Sequence, residues 1–129
     1  MKLLLDTHVF LWWALTPERL PARVLAACTD PATILLLSTV SIWEIQIKAG
    51  LGKLTLHQPL SEVVASQRDN GLQLLPVTLD HALRVGDLPL HHKDPFDRML
   101  IAQALVEDAV LASADAWVPA YGVAHLWNR

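Results

Sequence analysis

Two short runs in this chain, "KLLL" at 2–5 and "TILLL" at 33–37, are apolar throughout and show no inward–outward alternation. Runs of that length and evenness belong to strands buried on both faces, which occur almost only in parallel sheets covered by helices. The segments between them read as helices. "HVFLWWAL" (8–15) follows Thr7, a capping residue, and stops at Pro17; "PARVLAACTD" (21–30) carries Pro21 in its first turn. "STVSIWEIQIKAG" (38–50) has Ser and Thr at its head and Gly50 at its foot, the marks of a capped helix.

The same alternation continues downstream. "LGKLTLHQP" (51–59) reads as a loop and "LSEVVASQRDNG" (60–71) as a helix closed by Gly71. "LQLLPVT" (72–78) holds a short strand, and "LDHALRVGDLP" (79–89) a short helix. A helix starts at Pro95, followed by strand "AVLAS" (109–113), a turn or short helix in "ADAWVPAYG" and a last strand in "VAHLW" (123–127). Strands alternating with helices predict one α/β domain over 1–129: a three-layer sandwich around a mostly parallel sheet of about five strands.

The totals narrow the function classes. A net charge of −3 does not suggest a general nucleic-acid binder with a basic face, yet an acidic metal cluster alone can pull the balance negative. One cysteine, Cys28, permits no intramolecular disulfide and fits a reducing compartment. The longest uncharged run, "PATILLLSTVSIW", stops at Glu44, short of the roughly 20 apolar residues a bilayer crossing needs. "MKLLLDTHVFLWWAL" is interrupted by Asp6 and His8 and lacks a cleavage site, so a cytoplasmic protein is expected. The hydrophobic fraction of 53% and the five Trp residues are high for so small a chain. Trp12 and Trp13 fall on adjacent faces of one helix, so both are hard to bury in one core. Part of that helix, or the helices of residues 21–70, is therefore expected to meet a partner; full intramolecular packing of both Trp side chains is the alternative.

Ligands of open α/β sheets bind beyond the carboxyl ends of the strands, and two acids stand there. Asp6 follows "LLL" directly, and Asp115 comes just after "AVLAS"; Glu44 lies one to two turns into the helix after "TILLL", and Asp94 and Asp97 open the helix of "HHKDPFDRMLIAQA". Each has a structural reading. Asp6 can close a strand, Asp115 can cap a turn, and Asp94 before Pro95 is a common helix start. Asp97 suits the helix dipole, Arg98 can pair with Asp94, and Glu44 has Ser41 three before it and Lys48 four after it. Against a surface role, Glu44 is surrounded by Ile42, Trp43, Ile45 and Ile47, where an unpartnered carboxylate is costly.

Carboxylates packed together do not all stay ionised without a cation, and Mg²⁺ or Mn²⁺ with oxygen ligands and several waters resolves the conflict. Such an ion lowers the pKa of a bound water and shields charge at a phosphodiester. The histidines fit poorly as ligands: His91 and His92 are adjacent, His8, His57, His81 and His125 are scattered, and no zinc spacing exists. His91, His92 and Lys93 are instead candidates for contact with substrate phosphates, as is Arg98.

The blocks "LLLDTHVFLWW", "STVSIWEIQIKAGLGKL", "LPLHHKDPFDRMLIAQA" and "VLASADAWVPAYGVAHLW" resemble, in this order along essentially the whole chain, the PIN domain, and within it the VapC-type toxins of bacterial toxin–antitoxin modules. The resemblance implies a Rossmann-like fold, an acidic Mg²⁺ pocket, cleavage of single-stranded RNA, homodimers and neutralisation by a small antitoxin. It aligns the family's acids with Asp6, Glu44, Asp97 and Asp115 as catalytic metal ligands, with Asp94 as an auxiliary ligand or helix cap. Ser113 stands where the family often has Thr and keeps the hydroxyl. Alternatives are a Mg²⁺-dependent phosphatase or phosphoacceptor domain and a non-catalytic PIN-like binding module. The first suffers from His8, which stands where a phosphatase DxD motif needs its second acid; the second would be signalled by lost acids, and none is lost.

Overall fold

In the computed structural model, which describes residues 1–128, with Arg129 outside the described residues, five strands form one sheet. They are β1 (Lys2–Leu5), β2 (Ile34–Ser38), β3 (Gln73–Leu75), β4 (Val110–Ala112) and β5 (His125–Leu126). Their order is β3-β2-β1-β4-β5 and every pair is parallel. The expected α/β/α architecture is thus present with a fully parallel sheet. The helices are α1 (Thr7–Leu15), α2 (Ala22–Thr29), α3 (Thr39–Gly50), α4 (Leu60–Asp69), α5 (Leu79–Val85) and α6 (Pro95–Glu107). None of them is long and apolar enough to cross a membrane.

Strand periodicity divides the core in two. Leu3, Leu5, Leu35, Leu37 and Ala112 point to one side, where Val9, Phe10, Val24, Ile45, Leu60 and Val63 of α1 to α4 cover them. Leu4, Leu36 and Leu111 point to the other, against Leu100, Ile101 and Ala104 of α6 and Val118 and Tyr121 of a 3₁₀ turn. Successive side chains of a strand alternate sides, so an unbroken apolar run serves both layers at once. Beneath α5, His81 is fully buried: its Nδ1 accepts from the Thr78 amide at 3.0 Å and its Nε2 lies 2.8 Å from Glu107, tying α5 to α6.

The start of α1 departs from the expectation. Asp6, not Thr7, caps the helix, accepting from the Val9 amide at 2.8 Å from an extended backbone. With two adjacent capping residues, the one whose backbone still follows the strand takes the cap, and Thr7 becomes the first helical residue with its hydroxyl turned inward. Likewise Ser38 caps α3, leaving Ser41 and Glu44 inside the helix, so they form no capping box. Trp12 and Trp13 are both half-buried against the core, and more exposed apolar side chains include Trp43 of α3, Leu79 and Leu83 of α5, and Leu51, Leu90 and Trp117 between helices.

Candidate active site

The strand order reverses direction at β1: the chain builds outward through β2 and β3, then returns to β4 and β5 on the other side. The crevice at such a switch point, above the carboxyl ends of the strands, is where open α/β sheets take ligands. Here it is a cleft of 390 Å³ lined by Asp6, Thr7, His8, Trp12, Glu44, Lys48, Asp94, Asp97, Ala114 and Asp115. Five carboxylates and one ammonium group share this space.

Each acid is held by its own element. Asp6 leaves β1, and its amide continues the ladder to the Ala112 carbonyl at 3.0 Å. Asp115 leaves β4 through a tight turn in which its amide donates to Ser113 Oγ at 3.0 Å and its Oδ1 accepts from the Trp117 amide at 2.9 Å. Asp94 caps α6, accepting from the Phe96 and Asp97 amides, and so fixes where that helix begins. Pro95 follows it at the first helical position, where its missing N–H costs nothing.

Glu44 is 3% exposed, and both of its oxygens are engaged. Oε1 accepts from the Thr7 hydroxyl at 2.6 Å, and Oε2 pairs with Lys48 at 2.5 Å, one helical turn away. Ser41 Oγ lies 3.0 Å from the same Thr7 hydroxyl. That bond to Glu44 raises the Lys48 amine above its ordinary value, with the charges of Glu44, Asp94 and Asp97 adding to the rise against partial burial.

Electrostatics single out Asp97. Burial first, then the like charges of Asp94, Asp115, Glu44 and Asp6, push its carboxyl up to about 7. Asp6 is also raised by burial; the Ser113 hydroxyl, the Val9 amide and His8 pull it back, and Asp115 adds to the rise. A set of oxygen donors strained by mutual repulsion fits a hard divalent cation, which replaces a shared proton as the neutralising charge. Ligand atoms of His92, Asp97 and Asp115 all lie within 4.8 Å of one another, close enough to surround one ion.

The structure thus brings Asp6, Glu44, Asp94, Asp97 and Asp115 to one cleft, with Ser113 beneath it bonded to the Asp115 amide. Lys93 is exposed and does not line the cleft. Arg98 does not pair with Asp94: its guanidinium donates to the carbonyls of Pro89, Val85 and Leu88 and to the Tyr121 hydroxyl, binding the end of α5 to the start of α6. Thr7, Lys48 and Trp12 belong to the cleft although the sequence suggests other roles for them. The signal for Thr7 and Lys48 lies in their spacing, one residue past a strand-end acid and one turn past a buried one.

The fold has counterparts. The PIN domain family model matches residues 3–121. The comparison with curated proteins finds no match. Among solved structures, VapBC2 from Rickettsia felis bound to a DNA fragment from their promoter is similar at 16% identity, covering 98% of this chain and 99% of that one, with a TM-score of 0.68. DNA-bound VapBC from Salmonella typhimurium is similar at 15% identity, 98% and 97% coverage and a TM-score of 0.67. FitAB bound to an IR36 DNA fragment is similar at 18% identity, 96% and 93% coverage and a TM-score of 0.66. At these identities the likeness speaks for the fold, and the family match spans the first strand, the cleft and the 3₁₀ turn behind it: the chain belongs to the PIN domain family.

Proposed function

We propose that this chain is a Mg²⁺-dependent endoribonuclease, with Mn²⁺ an alternative ion, that cleaves single-stranded RNA as the toxin of a toxin–antitoxin pair. The observation that carries this reading is the gathering of five carboxylates at the switch point of the sheet, with Asp97 raised to about 7 by burial and by its neighbours. Asp97, Asp115 and Asp6 would hold the cation directly. Glu44, whose oxygens face Thr7 and Lys48, would act from behind them. A bound divalent cation lowers the pKa of water and shields charge developing on a phosphodiester. The protein's own part is to hold the acids apart, pair Glu44 with Lys48, and present Trp12 and His8 at the rim for an RNA base or phosphate.

The VapBC and FitAB complexes among the similar structures support a small antitoxin as partner. A homodimer is supported by the face of α3 and the residue that caps its end, where Trp43, Ile47 and Leu51 follow one another at helical spacing, Trp43 being 61% and Leu51 65% exposed. The cytoplasm is the compartment in which such a module would act. The test is cleavage of single-stranded RNA with and without Mg²⁺ by the wild type, Asp6→Asn and Asp97→Asn. Metal-dependent cleavage abolished in both variants is expected; equal activity in all three proteins would sink the metal-nuclease reading.

A further inference from the structure

His92 stands at the edge of the cleft, its side chain 11% exposed, and its two ring nitrogens have different surroundings. Nδ1 lies 2.7 Å from the Tyr121 hydroxyl. Nε2 is a buried atom without a hydrogen-bond partner among the described residues, 3.6 Å from Asp97 Oδ2. Which nitrogen carries the proton decides whether this imidazole can offer a lone pair to a cation or only a hydrogen to an oxygen.

The Tyr121 hydroxyl answers that question. Besides Nδ1 it meets the His92 backbone amide at 3.1 Å and Arg98 Nη1 at 3.2 Å. Both are donors without acceptor capacity, and together they fill the two lone pairs of the hydroxyl oxygen. The hydroxyl's single proton then has His92 Nδ1 as its acceptor. A proton on Nδ1 would set three donors against two lone pairs and strand the tyrosine proton in a buried place, where an unmade hydrogen bond is costly. Nδ1 is therefore the bare nitrogen, and the proton of the neutral ring sits on Nε2.

Arg98 takes part by being immobile. Its other bonds, to the carbonyls of Pro89, Val85 and Leu88, hold the guanidinium against Tyr121. The chain of orientation runs from Arg98 through Tyr121 to His92 and ends at the acidic cleft.

We propose that His92 is a positioning residue that presents a fixed Nε2–H to Asp97 Oδ2, and that it is not a ligand to the cation although it lies among the candidate ligand atoms. The N–H faces that oxygen from 3.6 Å, longer than a formed hydrogen bond, and leaves the other oxygen to the cleft. The same logic of an oriented partner behind a ligating carboxylate is general in metal sites. Only this last step rests on the metal reading of the cleft; the tautomer stands on the hydrogen bonds alone.

The experiment is ¹⁵N NMR of histidine-labelled, metal-free protein at about pH 8, where free imidazole is neutral. His92 is expected to show a protonated Nε2 and a bare Nδ1, and Tyr121→Phe is expected to lose that preference. A proton on Nδ1 in the wild type, alone or with one on Nε2, would overturn the proposal. A second arm adds Mn²⁺ to the same labelled protein and reads the electron spin-echo modulation of the ion. Absence of a directly bonded ¹⁵N coupling is expected, and its presence would overturn the proposal. A protein that binds no Mn²⁺ would overturn the metal step and the function proposed above, with the tautomer still decided by the metal-free spectrum.

Discussion

Thr7 Oγ1 and Glu44 Oε1 are 2.6 Å apart, a buried hydrogen bond that joins the first residue of α1 to the second turn of α3. It satisfies a carboxylate that would otherwise face an apolar layer on that side, and it ties the helix after β1 to the helix after β2. Removing the hydroxyl in Thr7→Val is expected to destabilise the fold by about 1–3 kcal/mol, the cost of leaving a charged acceptor short of a donor. Thr7→Ser, which keeps the hydroxyl, is expected to lose less than half of that. Urea unfolding of the three proteins checks it.

Lys48 neutralises the other oxygen of Glu44. Lys48→Met leaves a carboxylate that is 4% exposed without its cation, while the lysine itself is 37% exposed, so solvent screens part of the effect. A loss of about 1–2 kcal/mol is expected, and the pair Lys48→Met with Glu44→Gln should recover most of it because no buried charge remains. A double-mutant cycle by chemical denaturation measures the coupling.

Asp97 sets a pH dependence with a definite sign. Its folded carboxyl at about 7 lies above the ordinary 3.8, so the folded state holds this proton more tightly than the unfolded chain does. Its ionisation therefore costs the metal-free protein stability as pH rises from about 4 to about 7, on the order of 1–2 kcal/mol after allowance for its neighbours and solvent. Mg²⁺ is expected to raise the melting temperature clearly at pH 8 and little at pH 5, where the proton competes for the same oxygens. Asp97→Asn should flatten the pH dependence and remove the Mg²⁺ effect. Thermal melts across this range, with and without Mg²⁺, provide the check.

The exposed stripe on α3 carries the expectation of a dimer. Trp43 packs edge-on to Phe96 at 5.4 Å between ring centres, so the apolar surface extends from α3 to the head of α6. Leu51→Glu is expected to convert a dimer into a monomer while leaving the fold intact, since this side chain is largely exposed in the single chain. Light scattering after size exclusion decides it, and a wild type that is already monomeric would remove the premise.

What the sequence made legible follows from how local each signal is. "KLLL" and "TILLL" announce doubly buried strands by composition alone, and Asp6 and Asp115 gain their place simply by following strands. Glu44 was marked by its apolar neighbours, which required a partner without naming Thr7. Arg98 and His92 carry no such local signal. Their partners, the carbonyls of residues 85–89 and the Tyr121 hydroxyl, are set by packing between segments far apart in sequence, and no spacing rule reaches them. The same holds for the tryptophans: α1 is apolar all round, and only the packing of the layers reveals that Trp43, on α3, is the one left facing outward among Trp12, Trp13 and Trp43.

Asp6 and Asp115 are separated by most of the sequence, yet they emerge from neighbouring strands in register, Leu5 beside Ala112. No local element contains the cleft. Its floor comes into being only when the β1–β4 ladder closes, a non-local pairing that is slow by its topology. On a translating ribosome, a growing chain would carry Asp6 and Glu44 for some time without possessing any site at all. The ladder acts as a timer, and whatever this cleft does begins only once strands made early and late have met.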